Sequence, residues 1–185
     1  MYPFLRMVWQ LSRHRRAAPL PVTGTHVSRH ICLPWDIDLW MELNNGRTLT
    51  LYDLGRIPLA VRTGLVGVLR QNRWGLTIAG ASVRYRRRIR VFETIEMRSR
   101  LVGWDAKFLY IEQSMWKADG ECANHSLYRA AVTGREGIVG PADVARALGV
   151  SPQSPELPRW VSAWIEAEAL RPWPPMAVDG NEPQT

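Results

Sequence analysis

The sequence predicts an α+β domain in which one antiparallel sheet lies against a long helix. Two observations lead to this prediction. A strand-like segment precedes a long helical pattern, and four further strand-like segments then follow one another directly. The turns between these segments contain Gly103-Trp104-Asp105 and Asp119-Gly120, and Asp-Gly is a strong signal for a short hairpin. Consecutive hairpins after a helix favour a single antiparallel sheet over alternating βαβ units.

Length and composition agree with this prediction. A chain of 185 residues suits one domain with terminal extensions. Hydrophobic residues make up 46% and charged residues 22%, which is ordinary globular usage and excludes wholesale disorder. Cys32 and Cys122 have no metal-ligand spacing, so no metal site is expected. The two cysteines could form one disulfide, but a reduced, intracellular chain is favoured.

Residues 1–24 are predicted to form an amphipathic helix and a linker. The apolar start of the chain is followed by Arg13-His14-Arg15-Arg16, an order opposite to that of a secretory signal. Residues 1–16 could be an interfacial membrane anchor or a helix lying across the domain or a partner subunit, and the second interpretation is favoured. We therefore expect a cytoplasmic protein, with peripheral membrane contact through residues 1–16 as the alternative.

The central region, residues 25–135, contains the predicted sheet and long helix. A first strand is predicted over 25–33 and a helix from Asn45, where apolar residues recur at helical spacing. Pro58 is expected to kink or end that helix. A shorter helix is predicted over 65–70. The remaining strands are predicted over residues 76–90, 94–104, 108–117 and 122–133.

Residues 136–185 are predicted to form a C-terminal helical extension. One helix covers 141–148 and ends before Gly149, as expected for a glycine that follows a helix. A second helix carries Trp160 and Trp164 on one face. The tail from Pro172 is rich in proline and polar residues and is expected to be flexible.

Arginine dominates the positive charge of the chain, which has a formal net charge of +7. Five arginines occur between Arg84 and Arg90, and strict alternation along a strand would place Arg84, Arg86, Arg88 and Arg90 on one face. Such a cluster could bind phosphate groups, or it could be a solvated face neutralised by acids such as Glu96 and Glu112. No nucleic-acid partner is expected, because no stacking aromatic residues alternate with the arginines.

Two carboxylates precede the predicted long helix. Asp36 and Asp38 lie in a loop, and Asn44-Asn45-Gly46 follows at the helix start. Backbone N–H groups in the first turn of a helix can polarise a carbonyl, and a nearby carboxylate can act as a base or a nucleophile. Aspartates before a helix are, however, more often simple caps.

The segment 36–48 resembles the D-x-D-x-x-G-H-x-N-N-x-x-Y signature of hot-dog-fold acyl-CoA thioesterases related to 4-hydroxybenzoyl-CoA thioesterase. Asp36, Asp38, Asn44 and Asn45 match it. A second segment, 85–95, resembles the Y-x-x-P-x-x-x-G-D-x-L boundary of the same family. The chain departs from these patterns: Met41-Glu42 replace Gly-His, Thr48 replaces tyrosine, and Phe92-Glu93 replace Gly-Asp.

The resemblance spans residues 25–135 and implies a hot-dog fold, an antiparallel sheet wrapped around a long central helix. It implies a homodimer or homotetramer with the active site between subunits, and acyl-CoA as the substrate, with no other cofactor. It assigns the catalytic carboxylate to Asp38 and the carbonyl-polarising N–H group to Asn45, while Asp36 shapes the loop. Substrate binding is expected from Asn44, Gly46, Arg86, Arg87 and Arg88, the arginines on the phosphates of coenzyme A. Glu42 is at a position that the family does not use.

Two other functions compete with thioester hydrolysis. A non-catalytic hot-dog protein could bind acyl-CoA or serve as a partner-binding scaffold, an alternative that the missing Gly-His pair supports. An acyl hydratase of the same fold is less favoured, because such enzymes usually place a histidine in the loop before the helix. No histidine occurs between His30 and His125.

Overall fold

The computed structural model describes residues 2–172, 174 and 175 of the chain. It divides into two compact units, Met1–Pro155 and Glu156–Thr185. Most of the tail that we predicted to be flexible lies outside the described residues.

Within the described residues, the first unit contains the sheet and four α-helices, and the second contains one helix. The helices are α1 (Phe4–His14), α2 (Asn45–Arg62), α3 (Leu65–Asn72), α4 (Pro141–Ala147) and, in the second unit, α5 (Arg159–Ala169). The strands are β1 (His26–Ile31), β2 (Gly75–Tyr85), β3 (Thr94–Trp104), β4 (Leu109–Lys117), β5 (Cys122–Gly134) and β6 (Gly137–Val139). A short 3-10 helix, Pro34–Asp36, follows β1.

All the paired strands form one antiparallel sheet in the order β1-β3-β4-β5-β2, with β6 paired to the end of β5. Its concave face covers α2, whose Leu51, Tyr52 and Leu54 are fully buried. The closest approach is at Gly55, where an added Cβ would lie 2.5 Å from Ser99 Oγ. The α+β prediction is therefore confirmed, including the strand–helix–four-strand order.

Three details differ from the sequence prediction, and one alternative that it left open is wrong. Helix α2 continues through Pro58 to Arg62, because Pro58 and Leu59 belong to its buried face and packing outweighs the proline penalty of about 3 kcal/mol. Strand β2 ends at Tyr85 rather than at residue 90, and strand β6 was not predicted. Cys32 and Cys122 are free, so the disulfide alternative is wrong.

Helix α1 lies against the domain through Met7 and Gln10, which are buried. Its neighbour β1 alternates regularly, but the side chains that it buries are polar: His26, Ser28 and His30. His30 Nε2 lies 2.8 Å from Ser28 Oγ, and its Nδ1 lies 3.3 Å from Gln10 Nε2. The contact between α1 and β1 is therefore made largely by neutral polar groups.

Burial holds these histidines in the uncharged form. Arg62 Nη1 lies 3.0 Å from His26 Nδ1, and the rings of His14 and His26 are 4.6 Å apart. Burial, followed by the charges of His14 and Arg62, lowers the pKa of His26 to about 4. Burial, followed by the charge of Arg6, lowers the pKa of His30 to about 3.

Folding stability should therefore fall as the pH drops. Between the unfolded pKa of about 6.5 and the lower folded values, the unfolded chain binds protons that the folded chain excludes. From pH 7 to pH 5 we expect each histidine to remove about 1–2 kcal/mol from the free energy of unfolding. Urea unfolding at both pH values measures this loss, and the variant His26→Gln should lose less than the wild type. The same loss in both proteins would contradict the assignment.

Candidate active site

The carboxylate of Asp36 is completely buried and joins three segments of the chain. Its Oδ2 accepts hydrogen bonds from Arg6 Nη1 of α1 at 2.6 Å and from the Leu33 N–H group at 3.1 Å. Its Oδ1 accepts from Arg47 of α2, with Nε at 3.0 Å and Nη2 at 2.8 Å. The Asp36 carbonyl also accepts the N–H group of Asn44. Asp36 thus fixes the loop, α1 and the start of α2 relative to one another.

Asp38 lies two residues further along and is half-buried. Its Oδ1 accepts the N–H group of Trp40 at 2.9 Å, and its carbonyl accepts the N–H group of Met41 at 3.1 Å. The Asp38 N–H group donates to the carbonyl of Glu42. These bonds close a tight turn over residues 38–42, which projects from the same loop that Asp36 fixes.

Two of the departures from the family signature occur where the backbone is left-handed. Met41 has φ 58° and Phe92 has φ 65°, and the signature has glycine at both positions. Glycine adopts this conformation freely, whereas other residues pay about 1–2 kcal/mol. The chain therefore keeps the backbone conformation that the signature glycines would adopt, but with the large side chains of Met41 and Phe92, which strains the backbone.

Helix α2 begins at Asn45 with Asn44 as its cap. Asn44 Oδ1 accepts the N–H group of Arg47 at 3.1 Å, and Thr48 Oγ1 donates to the Asn44 carbonyl at 3.1 Å. Asn45 and Gly46 lie in the exposed first turn, where backbone N–H groups have no partner within the helix. These two N–H groups can bind an oxygen that carries negative charge.

A cavity of about 160 Å³ opens beside this helix start. Its walls come from the loop before α2, α2 itself, the end of β2, the segment after β2, and β5. Asn45, predicted to polarise the carbonyl, and the arginines 86–88, predicted to bind phosphates, all line this cavity. Asn44, Gly46 and Asp38 border this region but lie outside the cavity lining. The lining residues are Glu42, Leu43, Asn45, Thr48, Tyr85, Arg86, Arg87, Arg88, Ile89 and Asn124.

The arginines do not alternate along one strand face as we predicted. The N–H groups of Arg86 and Arg87 both donate to the carbonyl of Ala123, at 2.8 Å and 3.0 Å, so the regular ladder stops where β2 ends. The predicted strand face of four arginines is therefore wrong, although the cavity still collects three consecutive arginines.

The acids that neutralise these arginines also differ from the prediction. Arg87 pairs with Glu121 at 2.8 Å, and Arg88 Nε lies 2.8 Å from Glu42. Within the described part of the chain, Arg86 forms no ion pair with a carboxylate. Glu96 and Glu112, which we named as neutralising acids, instead pair with arginines of β3, Arg98 and Arg100.

Polar contacts that the sequence did not reveal hold the cavity wall in place. The Tyr52 hydroxyl donates to the side-chain oxygen of Asn124, and the Tyr85 hydroxyl donates to the Asn45 carbonyl at 3.2 Å. Gln113 Nε2 donates to the Tyr52 carbonyl at 2.9 Å. The neighbouring His125 lies on the other face of β5, where its Nε2 is 2.8 Å from Glu112. The sequence offers one signal for this difference: side chains alternate along β5, so the consecutive residues Asn124 and His125 point to opposite faces of the sheet.

The comparison with protein families identifies the superfamily to which the chain belongs. A model of the thioesterase-like superfamily matches residues 32–165, which contain the loop, the long helix and the cavity. The chain belongs to the thioesterase-like superfamily. The predicted hot-dog fold is confirmed, because solved thioesterases superpose on it. One is 1,4-dihydroxy-2-naphthoyl-CoA thioesterase from Synechocystis, at 8% identity with a TM-score of 0.58, over 68% of this chain and 95% of that one.

Further relatives are similar to the chain in structure and in sequence. DHNA-CoA thioesterase from Staphylococcus aureus superposes with a TM-score of 0.57 at 13% identity, over 79% of this chain and 92% of that one. By sequence, Protein THEM6 of Xenopus laevis is 32% identical over 144 residues, 76% of this chain and 67% of that protein. Protein THEM6 of Drosophila melanogaster is 30% identical over 153 residues, 80% of this chain and 76% of that protein.

The buried carboxylate should be essential for stability. We expect Asp36→Asn to lower the free energy of unfolding by about 3–5 kcal/mol, since the neutral amide leaves two largely buried arginines without their counter-charge. Chemical denaturation measures the change. The matched control is Asp143→Asn, which removes an exposed ion pair with Arg146 and should have almost no effect. Equal effects of the two substitutions would contradict the central role of Asp36.

Proposed function

We propose that this superfamily member hydrolyses an acyl-CoA thioester to the free acid and coenzyme A. The observation that carries the proposal is that the first residue of α2 and three consecutive arginines line the same cavity. The loop that holds Asp38 and Glu42 lies beside it. A helix start suits the thioester carbonyl, and guanidinium groups suit the phosphates of the nucleotide. Further support comes from a hypothetical thioesterase of Streptococcus pneumoniae with coenzyme A, which shares the fold at a TM-score of 0.51 and 11% identity.

In the proposed reaction, the carbonyl oxygen of the thioester accepts the N–H group of Asn45. Asp38 takes a proton from water, the water oxygen attacks the carbonyl carbon, and the C–S bond then breaks. The departing thiolate of coenzyme A takes up the proton. In the nucleophilic variant of this route, Asp38 attacks the carbonyl carbon itself, and water hydrolyses the resulting mixed anhydride. Asn44 and Gly46 shape the first turn around the bound carbonyl.

Glu42 is a second carboxylate at this site, and it lines the cavity together with Asn45. Its ion pair with Arg88 draws its side chain toward the arginine segment. In the proposal Glu42 positions Arg88, whereas Asp38 performs the chemistry. Substituting the two carboxylates separately therefore distinguishes chemistry from positioning.

Asp38→Asn should reduce kcat for acyl-CoA hydrolysis by roughly 10²–10⁴-fold with little change in KM, because only the proton-accepting or attacking group is lost. Glu42→Gln should mainly raise KM. Steady-state assays across acyl chain lengths, with circular dichroism as the folding control, measure both. A folded Asp38→Asn protein with wild-type kcat would remove the mechanism, and a large kcat loss in Glu42→Gln instead would transfer the role to Glu42.

Arg86 should bind a phosphate of coenzyme A, since it is exposed at the cavity and has no carboxylate partner among the described residues. We expect Arg86→Ala to raise KM for acyl-CoA about tenfold or more, and to leave hydrolysis of a short thioester without the nucleotide nearly unchanged. Arg87→Ala should raise KM for acyl-CoA less than Arg86→Ala does, because Arg87 already pairs with Glu121. Equal effects on both substrates would indicate that the arginines form only a solvated surface.

The proposal includes a homodimer. Strand β2 pairs with β5 on one side only, and most of its side chains are exposed. An edge strand of this length is normally covered, and pairing of two β2 edges would bring the cavity at the end of β2 close to the partner subunit.

A non-catalytic acyl-CoA-binding protein is the second candidate. The observation that favours it is the ion pair between Glu42 and Arg88 at the position where the family signature has histidine. Binding of an acyl-CoA without turnover, measured by calorimetry on the wild-type protein, would support this alternative over hydrolysis.

A further inference from the structure

An exposed apolar surface lies at the end of the domain that carries α1 and the loops around Asp36, and the proposed chemistry does not use it. On α1, the side chains of Leu5, Val8 and Trp9 are 87%, 60% and 53% exposed. On the loops, Trp35, Leu39 and Phe92 are 67%, 91% and 67% exposed. We call these six residues the apolar surface. Exposed apolar residues of this number on neighbouring segments mark an interaction site.

Hydrogen bonds show that these segments are neighbours. Arg6 of α1 donates to Asp36, the residue after Trp35, and to the carbonyl of Ile31 at 2.9 Å. The N–H group of Phe92 donates to the carbonyl of Cys32 at 2.7 Å. The turn that carries Leu39 lies beside the segment that carries Phe92, because Glu42 and Arg90 form a β-bridge.

The backbone conformation at Phe92 and Met41 also indicates that their exposed side chains contact another molecule. Phe92 and Met41 lie on the two segments that this bridge joins, and both are exposed and have left-handed backbone, a conformation that glycine would adopt without strain. Neither side chain contributes to the buried core. Retaining large apolar side chains at strained, exposed positions indicates a contact with something outside the chain.

The α1 side of the apolar surface is strongly basic. Residues 1–35 contain five arginines and no aspartate or glutamate. Arg13 lies over the Trp9 ring, 5.2 Å from its centroid. A groove of about 360 Å³ beside Trp9 is lined by Arg13, Arg29 and Ile31, so both apolar and cationic groups line it.

We infer that this end of the domain binds the surface of an anionic lipid membrane. Tryptophan, phenylalanine and leucine side chains would enter the boundary between headgroups and acyl chains, and the arginines would bind lipid phosphates. A second copy of the chain fits less well, because a symmetric contact would bring the arginines of the two copies face to face. None of the described helices is long and apolar enough to cross a membrane.

Cosedimentation of the full chain with vesicles tests the inference. We expect binding to phosphatidylcholine vesicles that contain phosphatidylglycerol, weak binding to phosphatidylcholine alone, and release at high salt. Leu5→Glu should reduce the partition coefficient tenfold or more, by about the loss expected for one buried leucine. Arg13→Gln and Arg16→Gln should each reduce it about fivefold.

The matched control is Leu170→Glu, which changes a leucine that is 83% exposed in the second unit and should bind vesicles like the wild type. Absence of binding to the anionic vesicles, or identical binding by Leu5→Glu and the wild type, would overturn the inference. A lower mass of Leu5→Glu in light scattering, with vesicle binding unchanged, would assign the surface to a second copy instead. Hydrolysis of a short, soluble acyl-CoA, measured in the same samples, should be unaffected, which separates this inference from the proposed activity.

Discussion

The geometry of the candidate site depends on one buried carboxylate. Asp36 receives hydrogen bonds from Arg6 of α1, from Arg47 of α2 and from the backbone of its own loop. A buried charge is stable only when such partners are complete, so each bond constrains the position of the segment that supplies it. The orientation of α1, the turn that carries Asp38 and the first turn of α2 therefore follow from a single ion-pair cluster.

The same cluster connects the two surfaces that we consider functional. Arg47 leads into the helix start that borders the cavity, whereas Arg6 holds α1 and its exposed apolar side chains beside the loop. Loss of Asp36 should consequently disturb both the proposed thioester site and the proposed membrane surface. Asp38 and Leu5, which do not bind Asp36, should each affect only one of them. The Asp36 cluster thus supports both the proposed thioester site and the proposed membrane surface, and each of these two surfaces can be altered without the other.

Polar groups also stabilise regions where apolar residues would be expected. Strand β1 buries two histidines and a serine against α1, and Gln113 and Asn124 occupy the face of the sheet beneath Tyr52. Such contacts are specific in direction, since each donor must meet its acceptor. They fix the position of both helices on the sheet more precisely than apolar packing alone, and they make the α1 contact sensitive to pH.

The sequence by itself determined the elements and the loop: the helix from Asn45, the strands 94–104 and 122–133, and Asp36-x-Asp38 before a helix start. Local spacing and turn chemistry are sufficient for such predictions, because they depend on residues that are close in the chain. Tertiary structure alone decided the continuation of α2 through Pro58, the end of β2 at Tyr85, and the partners of each arginine. It also decided that Asn124 faces the cavity while His125 faces away. These outcomes depend on contacts between residues far apart in sequence, such as Arg6 with Asp36 and Tyr52 with Asn124. A local sequence pattern does not specify which distant side chain will be the hydrogen-bond partner of a buried polar group.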